Sequence, residues 1–290
     1  MKKTTGEKAF NCINHIFLIF LCVITLYPFL FIVFASLSDP GLLIAHRGLL
    51  LAPAGFSTDA YRAVLQNRDV YVGYCNTILY VVAGTAVNIL MTSIGAYVLS
   101  RRFLFRNFIM VLIMITMFFG GGLIPGYLWM RQIGFMNNPM VMIIPGAIST
   151  SNLIIMMTSF RAIPMSLEEA AKIDGANEIY ILFHIILPLS LPVIAVMVLY
   201  YGVAHWNEWF NAMIYLQDRD RWPLQLYLRE ILIQNASEGM LGDVNGDTSV
   251  QISETIKYAT MIVATVPIVC VYPFIQKYFT KGVMIGSLKG

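Results

Sequence analysis

A polar segment between two strongly apolar runs carries side chains that could bind a partner. It begins at Ser166 and continues Leu-Glu-Glu-Ala-Ala-Lys-Ile-Asp-Gly to Ala176. Ser166 and Glu169 have the spacing of a capping box, in which the serine caps a helix and the glutamate reaches back to it. Gly175 follows about two turns later, where a helix would end or the chain would turn sharply. The segment predicts a short helix, a turn and a second short helix that ends at Pro188.

Residue types and spacing alone leave two interpretations of this segment open. An ordinary loop helix would present Glu168 and Glu169 as a charged face in contact with solvent. A docking loop would expose the same carboxylates, while Ala170, Ala171 and Gly175 would let a partner approach the backbone closely.

The segment resembles the EAA loop of the membrane subunits of ATP-binding cassette (ABC) importers. The pattern of that loop is Glu-Ala-Ala, three residues, Gly, nine residues and Ile-x-Leu-Pro. The matching residues, without insertion or deletion, are Glu169, Ala170, Ala171, Gly175, Ile185, Leu187 and Pro188. In that family the loop forms a coupling helix that docks in a cleft of the ATP-hydrolysing subunit. The resemblance implies a coupling role for Glu168, Glu169, Ala170, Ala171, Asp174 and Gly175.

The composition is that of an integral membrane protein. Of the 290 residues, 58% are hydrophobic and 12% are charged, whereas a soluble domain carries roughly a quarter charged residues. The net charge of +3 reflects basic residues beside apolar runs and gives no support for nucleic-acid binding. The four cysteines lie in or beside these runs without metal-ligand spacing, so they predict neither disulfides nor a metal site.

A membrane-spanning helix needs about 20 mostly apolar residues, and six segments qualify. They are residues 11–37, 71–100, 107–130, 140–160, 188–216 and 256–280. The first follows basic residues, but its apolar run is too long for a signal peptide and lacks a small-residue cleavage site. We therefore expect an all-α polytopic membrane protein with six transmembrane helices.

Basic residues in the short connections predict the orientation, because cytoplasmic loops are enriched in lysine and arginine. The cluster Arg101-Arg102-Phe-Leu-Phe-Arg106 is the firmest marker. Both termini are then expected in the cytoplasm of a bacterial cell, and the long loops 38–70 and 217–255 face outward. The same orientation places the Glu-Ala-Ala segment in the cytoplasm. The two arguments are independent, because the orientation was predicted from the basic residues without use of the motif.

Two predicted spans contain residues that disfavour a regular helix. In the third span, glycines 120–122 and Pro125 would destabilise a regular helix. Non-helical backbone at membrane depth is tolerated where it is buried in protein or lines a water-filled cavity, so this region is either a gate or a helix end. In the fourth span, the polar stretch from Ser149 to Asn152 either lines a pathway or holds helices together.

The fifth predicted span ends with His-Trp-Asn-Glu-Trp-Phe-Asn, residues 205–211. Glu208 is the one carboxylate within a predicted span, and an ionisable group there is a functional candidate. Flat tryptophan faces pack on sugar rings and amides bind hydroxyls, but tryptophan is also common at membrane boundaries. The candidate pathway residues are Trp206, Asn207, Glu208, Asn211 and, in the fourth span, Asn152.

The C-terminal residues 281–290 are punctuated by Gly282 and Gly286. They resemble the tail of one of the two membrane subunits of maltose-type carbohydrate importers, which reaches towards the paired ATPases. Together with the six spans and the Glu-Ala-Ala loop, the resemblance covers nearly the whole chain and implies a type I ABC importer permease fold. The expected parts are an N-terminal anchor and outer loop (1–70) and a transmembrane domain (71–290) with a coupling loop (161–187) and the tail.

The resemblance implies a permease subunit of an importer that an external solute-binding protein supplies with an oligosaccharide. A second related permease, two ATPase subunits and membrane lipid would be its other partners. The chain has no Gly-x-x-x-x-Gly-Lys-Ser/Thr phosphate loop, so we expect it to be no enzyme. ATP and Mg²⁺ would bind the partner ATPases, and no cofactor, metal or nucleic acid is expected on this chain.

Two other functions remain open. An ion-coupled secondary transporter would use Glu208, with His205, as a proton or cation site, and its transport would persist without any ATPase. It leaves the Glu-Ala-Ala spacing unexplained. A membrane scaffold that transports nothing would show no dependence on a solute.

Overall fold

The computed structural model describes residues 5–240, 255–271 and 273. Among them, the only pairing of strand type is an isolated antiparallel bridge between Ser38 and Phe56. The α-helices are α1 (Thr5–Ser36), α2 (Pro40–Ala45), α3 (Asp59–Gln66), α4 (Arg68–Ser100), α5 (Arg106–Phe118), α6 (Leu123–Gln132), α7 (Thr150–Arg161), α8 (Met165–Ile173), α9 (Glu178–Ile181), α10 (Leu187–Leu189), α11 (Leu191–Trp206), α12 (Phe210–Tyr215), α13 (Leu224–Met240) and α14 (Thr255–Val271). A π-helix (Leu182–Ile186) and two 3-10 helices (Pro139–Met142 and Arg219–Arg221) complete the elements. The predicted all-α class is confirmed.

Two of the described helices are long and apolar enough to cross a membrane without interruption. They are α4 and, within α1, Phe10–Ser36, and they coincide with the first two predicted spans. Two further helix pairs are long and apolar enough only when each pair is taken together across a sharp bend: α5 and α6 meet at 110°, and the Glu178–Leu189 segment meets α11 at 87°. The shorter apolar helix α14 lies in the sixth predicted span.

The third and fourth predicted spans are not continuous helices, so those predictions were wrong in detail. The third breaks before Gly122, whose φ of +82° is a left-handed conformation that favours glycine. In the fourth, only α7 is α-helical, and residues 143–149 before it are irregular. Pro145 and Gly146 explain why α7 starts only at Thr150, because neither residue supports a helix interior.

The fifth predicted span was also too long. Its straight helix, α11, starts at Leu191 and ends at Trp206, and residues 207–209 separate it from α12. Consequently Glu208 lies in a break between two helices and not inside a helix.

The chain forms two compact units. The described part of the first unit comprises residues 5–68, 228–240 and 255–266. At the end of α1, the buried Ser36 hydroxyl lies 2.7 Å from the Tyr61 hydroxyl of α3. The Ala54 N–H donates to the Ser38 hydroxyl at 3.0 Å. These bonds fix the loop after α1 to the end of that helix.

The described part of the second unit comprises residues 69–227, 267–271 and 273. Its larger core joins the C-terminal half of α4 with α7, the segment from α9 to α10, and α11. The most deeply buried members of this core are Ala96, Met156, Phe160, Ile181, Ile186 and Met197. A smaller core packs Tyr80 of α4 against Val141, Met142, Ala212, Tyr215, Leu216 and Leu226. Both cores therefore rest on α4.

Buried polar side chains hold the irregular segment before α7 against α4 and α11. The Asn88 amide nitrogen donates to the Gly146 carbonyl at 2.6 Å, and its oxygen lies 2.7 Å from Nε2 of His205. The Tyr201 hydroxyl accepts a hydrogen bond from the Ser149 N–H at 3.1 Å. Backbone groups at membrane depth need such partners because lipid offers none. Gly146 and Ser149 thus take part in helix packing.

Candidate functional site

The Glu-Ala-Ala segment forms α8, a sharp turn and the helical stretch from α9 to α10. Asp174 is the C-cap of α8, and Gly175 follows with a φ of +84°. The Ala176 N–H donates to the Ala171 carbonyl at 2.9 Å, and the Gly175 N–H donates to the Lys172 carbonyl at 3.1 Å. These two bonds define a Schellman motif. The predicted helix–turn–helix, with Gly175 at the turn, is confirmed.

The predicted capping box at the start of this segment is wrong. The N-cap of α8 is Pro164, which has extended backbone angles (φ −58°, ψ 130°), and no side chain caps the helix. Because the helix already starts at Met165, Ser166 lies in its first turn and not at the cap.

The predicted helix end at Pro188 is also wrong, because the helical stretch continues to Leu189. A π-helix precedes the proline, and the Leu187 N–H donates to the Leu182 carbonyl five residues earlier. Pro188 has no N–H to donate, and its ring would crowd the carbonyl four residues earlier. The wider π-helical turn makes room for it.

Glu168 and Glu169 differ in their surroundings, contrary to the expectation that both are exposed. Glu168 is only 3% exposed and forms an ion pair with the Arg101 guanidinium, which directly follows α4. The same guanidinium carbon lies 4.9 Å from the centroid of the Tyr97 ring. Successive helical residues are about 100° apart, so adjacent glutamates on a packed helix face different surroundings. Only Glu169 is exposed.

A second carboxylate connects the two sides of the turn. Glu178, in the first turn of α9, lies 2.6 Å from the Lys172 ammonium of α8. It also accepts a hydrogen bond from the Tyr97 hydroxyl at 2.5 Å. The Glu178 carboxylate therefore bridges α8, α9 and α4.

Sequence reasoning missed Tyr97, Arg101 and Glu178 as parts of this site. Arg101 was noted only as a marker of orientation, and its partner Glu168 lies 67 positions later in the chain. Tyr97 and Glu178 are 81 positions apart. The spacing of four between Tyr97 and Arg101 indicates a common helix face, but it does not identify what that face contacts.

The outer surface of the Glu-Ala-Ala segment combines carboxylates, small residues and exposed apolar side chains. Four of the six predicted coupling residues are exposed: Glu169, Ala170, Asp174 and Gly175. Ala171 is half-buried and packs against the larger core, while Glu168 is buried. Ile173 is 86% exposed and Ile179 is 71% exposed, so two apolar side chains stand among these polar ones.

The predicted pathway residues at the end of α11 take part in local helix capping. The Asn207 amide nitrogen donates to the Val203 carbonyl at 2.8 Å, at the end of α11. The Glu208 carboxylate accepts the Asn211 N–H at 3.3 Å, at the start of α12. Local backbone contacts thus explain why Asn207 and Glu208 occur at this break.

The remaining candidates are less informative. Trp206 is buried, and its ring meets Tyr74 edge-on with centroids 6.2 Å apart. Asn152 is buried within α7. Gly282 and Gly286 lie outside the described residues. Across the described part of the chain, no three His, Cys, Asp or Glu side chains converge closely enough to hold a metal ion.

The chain is similar over almost its whole length to permease proteins of sugar transport systems. It is 42% identical to the polygalacturonan/rhamnogalacturonan transport system permease protein YtcP of Bacillus subtilis, over 98% of this chain and 99% of that relative. It is 25% identical to the arabinooligosaccharides transport system permease protein AraQ of Halalkalibacterium halodurans, over 93% and 94% of the two chains. These similarities confirm the predicted resemblance to carbohydrate importer permeases.

Similarity also extends to a solved structure and to a family description. The crystal structure of a bacterial ABC transporter involved in the import of the acidic polysaccharide alginate contains a chain that matches with a TM-score of 0.87 and 31% identity, covering 96% of this chain and 99% of that one. The predicted type I importer permease fold is thereby confirmed. Residues 88–285 match the family described as "Binding-protein-dependent transport system inner membrane component". The chain therefore belongs to this family of integral membrane permease subunits, which are transport components and not ATPases.

Proposed function

We propose that this chain is one of two membrane-spanning permease subunits of an ATP-driven importer and forms half of the pathway for an acidic oligosaccharide. The observation that carries this proposal is the 42% identity, over nearly the full length, to a permease named for polygalacturonan and rhamnogalacturonan transport. An external solute-binding protein delivers the solute, and a second, related permease completes the pathway. Two ATPase subunits bind ATP and Mg²⁺ and drive the change between inward- and outward-facing states.

The names of two relatives support an acidic solute. One is named for polygalacturonan and rhamnogalacturonan, and the solved structure is named for the acidic polysaccharide alginate. All three polymers contain uronic acid carboxylates. An oligosaccharide with uronate residues is therefore the solute class that we propose for this chain.

The exposed surface around Gly175 supports a docking role in the coupling of ATP hydrolysis to transport. Glu169 and Asp174 present charge there, and Ile173 presents an almost fully exposed apolar side chain. Apart from the two adjacent residues, no heavy atom lies within 4 Å of the position that a Cβ at Gly175 would occupy, so a partner can reach the backbone. An ATPase that closes on ATP would move this surface.

The arginines near the coupling segment support its proposed cytoplasmic position, and we propose that both termini lie on that side as well. Arg106 and Arg161 both donate to the Leu99 carbonyl near the end of α4, at 2.8 and 3.3 Å. Arg101 pairs with Glu168 of α8 at the same end. Basic residues gathered at one end of the helices are typical of the cytoplasmic side.

Ion-coupled transport has no comparable support. Glu208, on which it depended, accepts a backbone hydrogen bond at the start of α12, and such carboxylates are common at helix starts.

The test is purification of this chain from its native membrane in mild detergent, with and without Glu169→Lys. We expect the unaltered chain to retain an ATPase and a second permease. The charge reversal should reduce the retained ATPase by at least about tenfold, because opposed like charges in an interface cost several kcal/mol. Glu7→Lys is the matched control, since Glu7 is also exposed and lies in the first turn of α1.

Uptake of oligosaccharides from a polygalacturonan digest should fall in parallel with the retained ATPase. A chain that purifies alone, or that takes up solute normally without any ATPase, would contradict the importer proposal. Equal losses from Glu169→Lys and Glu7→Lys would contradict the specific role of the coupling surface.

A further inference from the structure

Both sides of the coupling turn are attached to the same end of α4. Arg101 forms the ion pair with Glu168 in α8, and Tyr97, one helical turn earlier, donates to Glu178 in α9 at 2.5 Å. Residues four apart lie on one face of a helix. Tyr97, in the last turn of α4, and Arg101, directly after that helix, therefore contact the helices after and before Gly175.

The contacts with α4 are less exposed to solvent than the ion pair between Lys172 and Glu178 within the turn. Arg101 and Glu168 side chains are 16% and 4% exposed, and Tyr97 is buried. Shielded pairs are screened little by salt, and removal of one partner leaves a buried charge without compensation. The Lys172–Glu178 pair is about half exposed, and exposed pairs contribute little. The contacts with α4 thus provide the stiffer connection.

The other end of α4 contacts the segment between α12 and α13. The Asn76 amide nitrogen donates to the Asp220 carbonyl at 2.8 Å, and the Tyr80 hydroxyl donates to the Arg221 carbonyl, also at 2.8 Å. Tyr80 and Arg101 are 21 positions apart, which corresponds to about 30 Å along a helix. This length matches the hydrocarbon core of a bilayer, roughly 30 Å.

The helix between these two ends is suited to transmit motion. In the described part of the second unit, α4 is the one helix that is long and apolar enough to cross a membrane without interruption. The pair formed by α5 and α6 is bent by 110°, and the pair formed by the Glu178–Leu189 segment and α11 is bent by 87°. A displacement at one end of α4 is therefore carried to the other end without an intervening joint.

We propose that Tyr97 and Arg101 are positioning residues that clamp the coupling loop to α4. A movement of the loop would then shift α4 as a rigid body and reach the segment of residues 216–223 at its other end. This inference rests on the proposed function, because it requires an ATPase that moves the loop. The clamp residues differ from docking residues such as Glu169, since they transmit the motion and do not bind the ATPase.

The experiment uses the complete importer, with its second permease and ATPase subunits, reconstituted in lipid vesicles. Uptake of oligosaccharides from a polygalacturonan digest and hydrolysis of ATP are measured together, and their ratio reports the coupling. We expect Glu168→Gln and Tyr97→Phe to lower this ratio by roughly 2- to 30-fold, the range found for residues that link two sites. The amount of ATPase bound to the permease should not change.

Two controls make the result specific. Tyr180→Phe removes a hydroxyl from an exposed tyrosine of the same loop and should leave the ratio unchanged. The double variant Arg101→Glu/Glu168→Arg exchanges the charges and should recover most of the coupling lost in Glu168→Gln. If Glu168→Gln does not accumulate in the membrane, Tyr97→Phe still decides the question, because it removes a single hydroxyl.

An unchanged ratio in Tyr97→Phe, with the complex intact, would overturn the proposal. Loss of bound ATPase in proportion to the loss of uptake would overturn it as well, since it would place these residues in docking or folding. A wild-type chain that binds no ATPase would instead refute the proposed function, so the two failures are distinguishable.

Discussion

Substitutions of Gly175 distinguish two effects on transport: the cost of the left-handed backbone conformation at the turn, and the effect of filling the open space beside the backbone. Gly175 has a φ of +84°, where an ordinary L-residue costs roughly 1–2 kcal/mol and asparagine or aspartate costs less. A Cβ there would meet no heavy atom of this chain within 4 Å, so no steric overlap is added. We expect Gly175→Asn and Gly175→Asp to cost at most about 1 kcal/mol and to accumulate normally in the membrane.

Transport by these variants should nevertheless be lost. If an ATPase packs against the bare backbone, an added side chain overpacks the interface at a typical cost of about 1–3 kcal/mol. This corresponds to a fall in uptake of roughly 5- to 150-fold. The assay is uptake of polygalacturonan-derived oligosaccharides, normalised to the amount of chain in the membrane. Gly134→Asn is the matched control, because Gly134 has a φ of +78° and equally open surroundings.

Normal uptake by Gly175→Asn would refute the reasoning, since no partner would then approach this backbone closely. Loss in Gly175→Asp alone would mean that charge and not space decides the contact. An equal loss in Gly134→Asn would attribute the effect to backbone strain.

Two further substitutions test the interior of the second unit and the helix break after α11. Gly84→Ala would place a methyl group on the His205 ring; we expect a destabilisation of about 1–3 kcal/mol, measured as a lower thermal midpoint in detergent. Gly120→Ala, with nothing within 4 Å, should leave the midpoint unchanged, and an equal decrease would contradict the packing argument.

Glu208→Gln keeps an acceptor for the Asn211 N–H, so uptake should stay within about twofold of wild type. Abolished uptake with the ATPase still bound would favour an ion-binding role.

The sequence was sufficient to predict the features that arise from neighbouring residues. The apolar runs 11–37 and 71–100 correspond to α1 and α4 because continuous hydrophobicity over about 20 residues requires a membrane. The turn at Gly175 was predicted because a glycine that follows a helix commonly adopts the left-handed conformation of a Schellman motif. Glycines 120–122 and Pro125 predicted the disturbed helix in the third span. The break at residues 207–209 was not predicted, because hydropathy over a long window does not register a local change in backbone angles.

The different surroundings of the two adjacent glutamates were decided only by the tertiary structure. Residue type predicts the same behaviour for Glu168 and Glu169, yet Glu168 is buried against Arg101 and Glu169 is exposed. The sequence likewise gives no sign of the hydrogen bond between Tyr97 and Glu178. Both contacts join residues that lie 67 and 81 positions apart, and such pairings depend on the packing of whole helices. By itself the sequence therefore determined the membrane class, the turn at Gly175 and the family resemblance, whereas the attachment of that turn to α4 required the folded chain.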